Sequence, residues 1–202
     1  SADAHLVKLR ELILNNNQLS GQLPSLSRLV NLENLNLANN QFTGTVPDFD
    51  ALVSLKWVQL QSNQLTGTLP VFDNHPQLES INFDWNQLSG TLPDFNSMPS
   101  LLDVYLHDND FSGPFPSFDS IKYQIRNISI DHNRLGGALP DFSGYKNLKY
   151  LDISHNLLTG QVADWTGLDS LHTLDLDNNL LIGTVPEIQN MTNLVRLDVG
   201  HN

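Results

Sequence analysis

The sequence predicts an α/β repeat fold, a single solenoid with one short parallel strand per coil on its inner face. Three observations predict it. The template L-x-x-L-x-L-x-x-N-x-L, carried by Leu32, Leu35, Leu37, Asn40 and Phe42, recurs from one end of the 202 residues to the other. Its spacing is fixed: steps of 23 run from Leu9 through Leu32, Leu55 and Leu78 to Leu101, one step of 24 reaches Ile125, and steps of 23 then reach Leu148, Leu171 and Leu194. Each template is followed by x-G-x-apolar-P, as in Thr43-Gly44-Thr45-Val46-Pro47. A constant period of this length marks a solenoid, whose units contact only their neighbours.

The expected organisation is one domain over 1–202, with a remnant at 1–8, eight repeats beginning at 9, 32, 55, 78, 101, 125, 148 and 171, and a partial repeat at 194–202. Terminal caps are missing from this pattern, and open core edges would be exposed without them. The natural protein is therefore expected to be longer at both ends.

Within a unit, alternating apolar residues such as Leu35-x-Leu37 or Ile128-x-Ile130 predict the strand. Stacked strands place equivalent residues ~4.8 Å apart in columns. The Asn that ends each template, from Asn17 to Asn202, cannot be buried without partners. A ladder of side-chain bonds to the turn and to adjacent coils would satisfy it. Gly then allows the bend and Pro ends the local ladder. Acids after Pro, namely Asp48, Asp94, Asp141 and Glu187, with Asp164 following Ala163 where the seventh unit lacks the Pro, suit the first turn of a short helix. The outer connection then offers Phe49, Phe72, Phe95, Phe118, Phe142, Trp165 and Ile188 as core, with a second apolar residue three further on. His75 takes that second place in the third unit. The extra residue between Phe118 and Ile125 predicts a bulge in the outer connection.

Composition narrows the function. Only 10 Lys and Arg stand against 22 acids, a net charge of −12, which argues against nucleic acid. No apolar run reaches the length needed to cross a bilayer, so no membrane contact is expected of this segment. With no cysteine, neither a disulfide framework nor a thiolate metal site is available.

At this point the residues carry a likeness. The template followed by Ser/Thr-Gly-x-Leu/Val-Pro, as in Leu60, Asn63, Leu65 and Thr66-Gly67-Thr68-Leu69-Pro70, resembles the plant-type leucine-rich repeat over residues 9–202. The Pro47-Asp48-Phe49, Pro93-Asp94-Phe95 and Pro140-Asp141-Phe142 runs are similar to 23-residue repeats in the ectodomains of plant receptor-like kinases. The resemblance implies a right-handed solenoid, with a short second strand plus 3-10 or irregular helix on the convex side. It also implies protein or peptide recognition on the strand face, and an extracellular or cell-surface location.

The variable strand positions separate two halves. In units one to three they are uncharged, as in Asn36, Ala38, Asn39, Gln59, Gln61 and Ser62. From the fourth unit they read Asn82, Asp84, Trp85; Tyr105, His107, Asp108; Ser129, Asp131, His132; Asp152, Ser154, His155; Asp175, Asp177, Asn178; Asp198, Gly200, His201. One reading is a solvated acidic face. The leading functional reading is a binding face for a basic peptide or protein, using Trp85, Tyr105, His107, Asp108, Asp131, His132, Tyr150, Asp152, His155, Asp175, Asp177 and Asp198. Aromatic side chains there are the anchors that interfaces favour. Asp152, Asp175 and Asp198 share a column, where like charges repel unless a cation intervenes.

Two other chemistries are weighed. Asp131, His132 and His155 on adjacent coils suit a transition metal, and the Asp152–Asp175–Asp198 column with Asp177 suits calcium; the spacing comes from strand stacking and not from a dedicated ligand motif, so no metal and no cofactor are expected. Asp152, Ser154 and His155 invite a hydrolase, but an open sheet predicts neither an oxyanion hole nor a water-excluding pocket, so no enzyme is expected. Two sequons, Asn127-Ile128-Ser129 and Asn190-Met191-Thr192, are glycosylation candidates. The alternative to recognition is a structural or adhesive segment that self-associates or assembles with matrix proteins.

Overall fold

Nine strands of three residues stack in order along the chain and form one parallel sheet, while eight others form a second. This arrangement is seen in a computed structural model, which describes residues 6–184 and 186–202. Residues 1–5 of the expected remnant, and Val185, lie outside the described residues.

The strands of the first sheet are β1 (Glu11–Ile13), β3 (Asn34–Asn36), β5 (Trp57–Gln59), β7 (Ser80–Asn82), β9 (Asp103–Tyr105), β11 (Asn127–Ser129), β13 (Tyr150–Asp152), β15 (Thr173–Asp175) and β17 (Arg196–Asp198). Those of the second are β2 (Ser20–Gln22), β4 (Gln41–Thr45), β6 (Gln64–Gly67), β8 (Gln87–Thr91), β10 (Asp110–Pro114), β12 (Arg134–Ala138), β14 (Leu157–Gln161) and β16 (Leu180–Ile182). The first sheet pairs equivalent residues of successive units, as in Leu35 with Val58 and Asp152 with Asp175. The columns read from the sequence are therefore real columns.

Between the sheets and the outer connections runs one continuous core. Leu32, Leu35, Leu55, Val58, Leu78, Ile81 and their successors as far as Leu171 and Leu174 are fully buried, whereas Leu194 and Leu197 are partly so. So are the aromatic residues of the outer connection, with Phe95 and Phe118 stacked at 4.8 Å and Phe142 edge-on to Trp165. Ile188 departs from this expectation and is 41% exposed, because the last coil covers it on one side only. His75 takes the place of an apolar residue by donating from Nε2 to the Phe49 carbonyl at 3.0 Å.

The Asn ladder is present. Asn40 donates from Nδ2 to the Leu37, Ala38 and Leu14 carbonyls, and its Oδ1 accepts the Leu19 N–H. Asn133 makes the same set to Ile130, Asp131, Leu106 and Phe111. Each Asn thus closes its own turn and ties it to the preceding coil. The residue just before it always has positive φ, from 58° at Asn16 to 49° at Asn178. Gly113, at φ 87°, accepts no side chain: a Cβ there would lie 2.8 Å from Thr91 Cγ2.

The acids after Pro do not start helices. Asp48 and Asp141 accept the backbone N–H two residues on, closing tight turns, whereas Asp94 and Asp164 accept N–H groups of Ser117 and Glu187 one coil later. The connections are too short to wind a helical turn and satisfy these donors otherwise. Among the described residues, 3-10 turns occur only at Leu6–Lys8 and Asp119–Ile121. The second of these takes up the extra residue: Ile125 N bonds Ile121 O, a wider turn than the Leu148-to-Tyr145 bond of the next coil.

Candidate functional site

Strand alternation points one residue in two of each inner strand away from the core, and the left-handed turn before the ladder Asn brings two more side chains to the same side. The four columns so formed make the strand face. From the fourth coil onward they carry eight carboxylates (Asp84, Asp103, Asp108, Asp131, Asp152, Asp175, Asp177 and Asp198) and one Lys or Arg, Arg196.

These side chains are less exposed than the sequence suggests. Asp84, Asp131, Ser154 and Asp175 are buried, as is Ala38 in the neutral half. Contacts with neighbouring side chains cover them. Burial requires partners for the acids, and each has them. Asp84 accepts the His107 backbone N–H at 2.8 Å and lies 2.9 Å from His107 Nε2. Asp131 accepts Ser129 Oγ–H at 2.8 Å and lies 3.0 Å from His132 Nδ1. Asp175 lies 2.7 Å from Arg196, which also reaches Asp198 at 3.3 Å. Arg196 is therefore the intervening cation of the Asp column, supplied from the neighbouring column.

His107 is the electrostatic centre of the face. Its Nδ1 lies 2.9 Å from Asp108, so a carboxylate stands at each ring nitrogen. Burial opposes the charged ring, yet Asp84 and Asp108 outweigh it and hold the pKa at about 9. Asp84 shifts up because its own burial exceeds the help from His107. The indole Nε1 of Trp85 is 3.3 Å from the same His107 Nε2. A protonated nitrogen cannot accept it, and the shorter, charge-assisted contact to Asp84 takes precedence. Trp85 instead meets the ring edge-on, with centroids 5.7 Å apart.

Trp85 is 59% exposed and sits at φ 56°, a conformation that costs a bulky side chain about 1 kcal/mol. Beside it Asn82, Asp84, Tyr105, His107, Asn127, Ser129 and Tyr150 line an open depression of about 480 Å³. Tyr150 donates its hydroxyl to Asp152 at 2.9 Å, and both tyrosines titrate above their ordinary value, first through burial and then through neighbouring carboxylates. Asp175 also shifts up, through burial first and Asp152 and Asp177 after it.

The structure thus gathers Trp85, Tyr105, His107, Asp108, Asp131, His132 and Tyr150 around coils four to seven, and sets Asp175, Asp177 and Asp198 apart with Arg196. Asp152 and His155 lie between. His132 and His155 stack face to face at 4.0 Å and 19°, so their in-plane lone pairs run side by side and do not converge on one ion with Asp131. His155 turns its Nε2 toward Asn178 at 3.3 Å and Asp177 at 3.8 Å. Ser154 donates to Asp152 at 2.7 Å, pointing away from His155 chemistry. Asp84 and Arg196 are the members that sequence reasoning left out of the site. Small residues in the Asp84 column, Ala38 and Ser154, were the available signal for its burial. Of the sequons, Asn190 is exposed, whereas Asn127 donates to Asp103 at 2.6 Å on the strand face.

Comparisons with known proteins agree with this architecture. Residues 124–181 match the family profile described as "Leucine rich repeat", and residues 7–51 match "Leucine Rich repeats (2 copies)". No curated protein sequence matches the chain. Among solved structures, the leucine-rich repeat ectodomain of the plant membrane receptor kinase GASSHO1/SCHENGEN3 from Arabidopsis thaliana, in complex with CASPARIAN STRIP INTEGRITY FACTOR 2, is 33% identical over 96% of this chain and 24% of its own, with a TM-score of 0.92. The PEPR1–AtPEP1 structure is 30% identical over 92% of this chain and 27% of its own, with a TM-score of 0.86. The Arabidopsis receptor kinase HAESA ectodomain, in complex with an N-terminally extended IDA peptide hormone ligand, is 27% identical over 96% of this chain and 42% of its own, at 0.61. The chain spans about a quarter of the first two structures it matches.

Proposed function

The chain is a plant-type leucine-rich repeat protein, and on that premise we propose that it is a non-catalytic recognition module, extracellular or at the cell surface, that takes a protein or peptide on its strand face. The partner is basic and lies along coils four to nine. The single observation that carries this reading is the open depression together with the exposed, strained Trp85 that packs edge-on against its lining residue His107. A large aromatic held out in a costly backbone conformation serves no purpose in the core, and aromatic anchors dominate binding energy at interfaces. Trp85, Tyr105 and Tyr150 supply the apolar contacts. Asp108, Asp131, Asp152, Asp175, Asp177 and Asp198 set the charge, with His107, His132 and His155 between them. The HAESA ectodomain, with its peptide hormone ligand, supports the class of partner. Asn190, away from this face, is the sequon at which a glycan leaves it open.

Selection of a displayed random peptide library against the chain tests the proposal. It should enrich Lys- and Arg-bearing peptides that bind saturably. Their affinity should fall at least tenfold with Trp85→Ala and lose much of its salt dependence with Asp152→Asn. Enriched peptides without basic bias, or bound equally by both variants, would overturn it.

A further inference from the structure

Coil five ends its strand with His107-Asp108 and coil six with Asp131-His132, so stacking sets an imidazole beside a carboxylate in both columns. The turns are in direct register, with the Asp108 N–H donating to the Asp131 carbonyl at 3.2 Å. One ligand atom each from His107, Asp108 and Asp131 lies within 4.8 Å of the other two, and His132 Nδ1 is 3.0 Å from the Asp131 carboxylate.

We propose that His107, Asp108 and Asp131 form a three-ligand binding site for a divalent first-row transition metal such as zinc, which needs no partner on the strand face. Zinc sites with three protein ligands leave the fourth position to water, and bonds of about 2.0–2.1 Å need ligand atoms ~3.4 Å apart, which side-chain torsions bring within reach of three atoms already gathered within 4.8 Å. Mixed imidazole and carboxylate ligands favour zinc, cobalt or nickel over calcium and magnesium.

The surroundings support a site and not merely a cluster. Metal-binding imidazoles hold their second nitrogen on a carboxylate, which fixes the ring. Asp84 does this here: buried, it meets His107 Nε2 at 2.9 Å and leaves Nδ1 facing Asp108. Ser129 does the same for Asp131, donating to Oδ1 and leaving Oδ2 toward His132. Neither Asp84 nor Ser129 is a ligand, and both are fully occupied in orienting one. Binding replaces the proton on His107 Nδ1, which leaves to solvent.

Titration calorimetry with zinc chloride on chelator-stripped chain, and visible absorption with cobalt(II), test the site. One ion per chain should bind with micromolar affinity, and cobalt should give the intense absorption of a tetrahedral site. Asp108→Asn should weaken binding at least tenfold. It puts Asn where Asn39 and Asn178 already sit in the same left-handed turn, so the fold tolerates it. Asp84→Asn should weaken binding tenfold or more by releasing the ring, and His201→Asn, four coils away in the equivalent turn, should leave it unchanged. Absence of zinc binding, or zinc affinity retained in Asp108→Asn, would overturn the proposal.

Discussion

Asp84 holds His107 twice, by the backbone N–H at 2.8 Å and by the ring at 2.9 Å. The acid belongs to the coil before, so the contact ties coil four to coil five beneath the recognition face. With Asp108 it keeps the ring charged up to about pH 9, against an ordinary value of 6.5. A raised histidine pKa contributes stability that is complete below 6.5 and lost as pH rises through about 9. The upper limit is ~3 kcal/mol. Solvent screening of the partly exposed ring lowers this, and the expected loss is about 1–2 kcal/mol. Urea unfolding at pH 6.5 and pH 9.5 should reveal that loss in the native chain and not in His107→Gln. Equal losses in both would mean that the clamp contributes nothing.

Trp85 should be dispensable for folding. Asn tolerates a left-handed backbone better than Trp, and Asn39 and Asn178 occupy equivalent turns. Trp85→Asn is expected to raise stability by about 0.5 kcal/mol or leave it unchanged, while weakening partner binding. Replacement of a tryptophan that served packing would instead lower the melting temperature by several degrees.

Asn133 should behave in the opposite way. Its amide satisfies three carbonyls and one N–H in two coils. Asn133→Leu takes the acceptor from the Phe111 N–H and one donor from each carbonyl, which keep bonds from Asn156, Asp108 and Asn109, at an expected cost of about 1–3 kcal/mol. A shift in the chemical-denaturation midpoint without a change in slope measures it. No shift would show that water replaces the amide.

The period, the columns and the ladder were all legible because each depends on residues that recur in phase, and a solenoid has no long-range topology to guess. Burial within the face was not. Alternation says that Asp84 and Asp175 leave the core, but not how far His107 and Arg196 of the next coil close over them. Arg196 escaped for another reason: spacing gives the column of a Cα, whereas a long side chain reaches across a coil to Asp175. The acids after Pro fitted helix starts in composition, yet their turns are too short, and their carboxylates cap N–H groups locally or one coil on.

Register pairing between units 23 or 24 residues apart also sets how the chain reaches its fold. Parallel sheets usually fold slowly because their pairings are distant in sequence. Here every pairing spans one coil, about a tenth of the chain, a relative contact order closer to helical bundles than to β-sandwiches. That span stays constant however many coils are added. A longer array of this kind would therefore grow by zippering from any nucleus, and pulled from its ends it would yield one coil at a time.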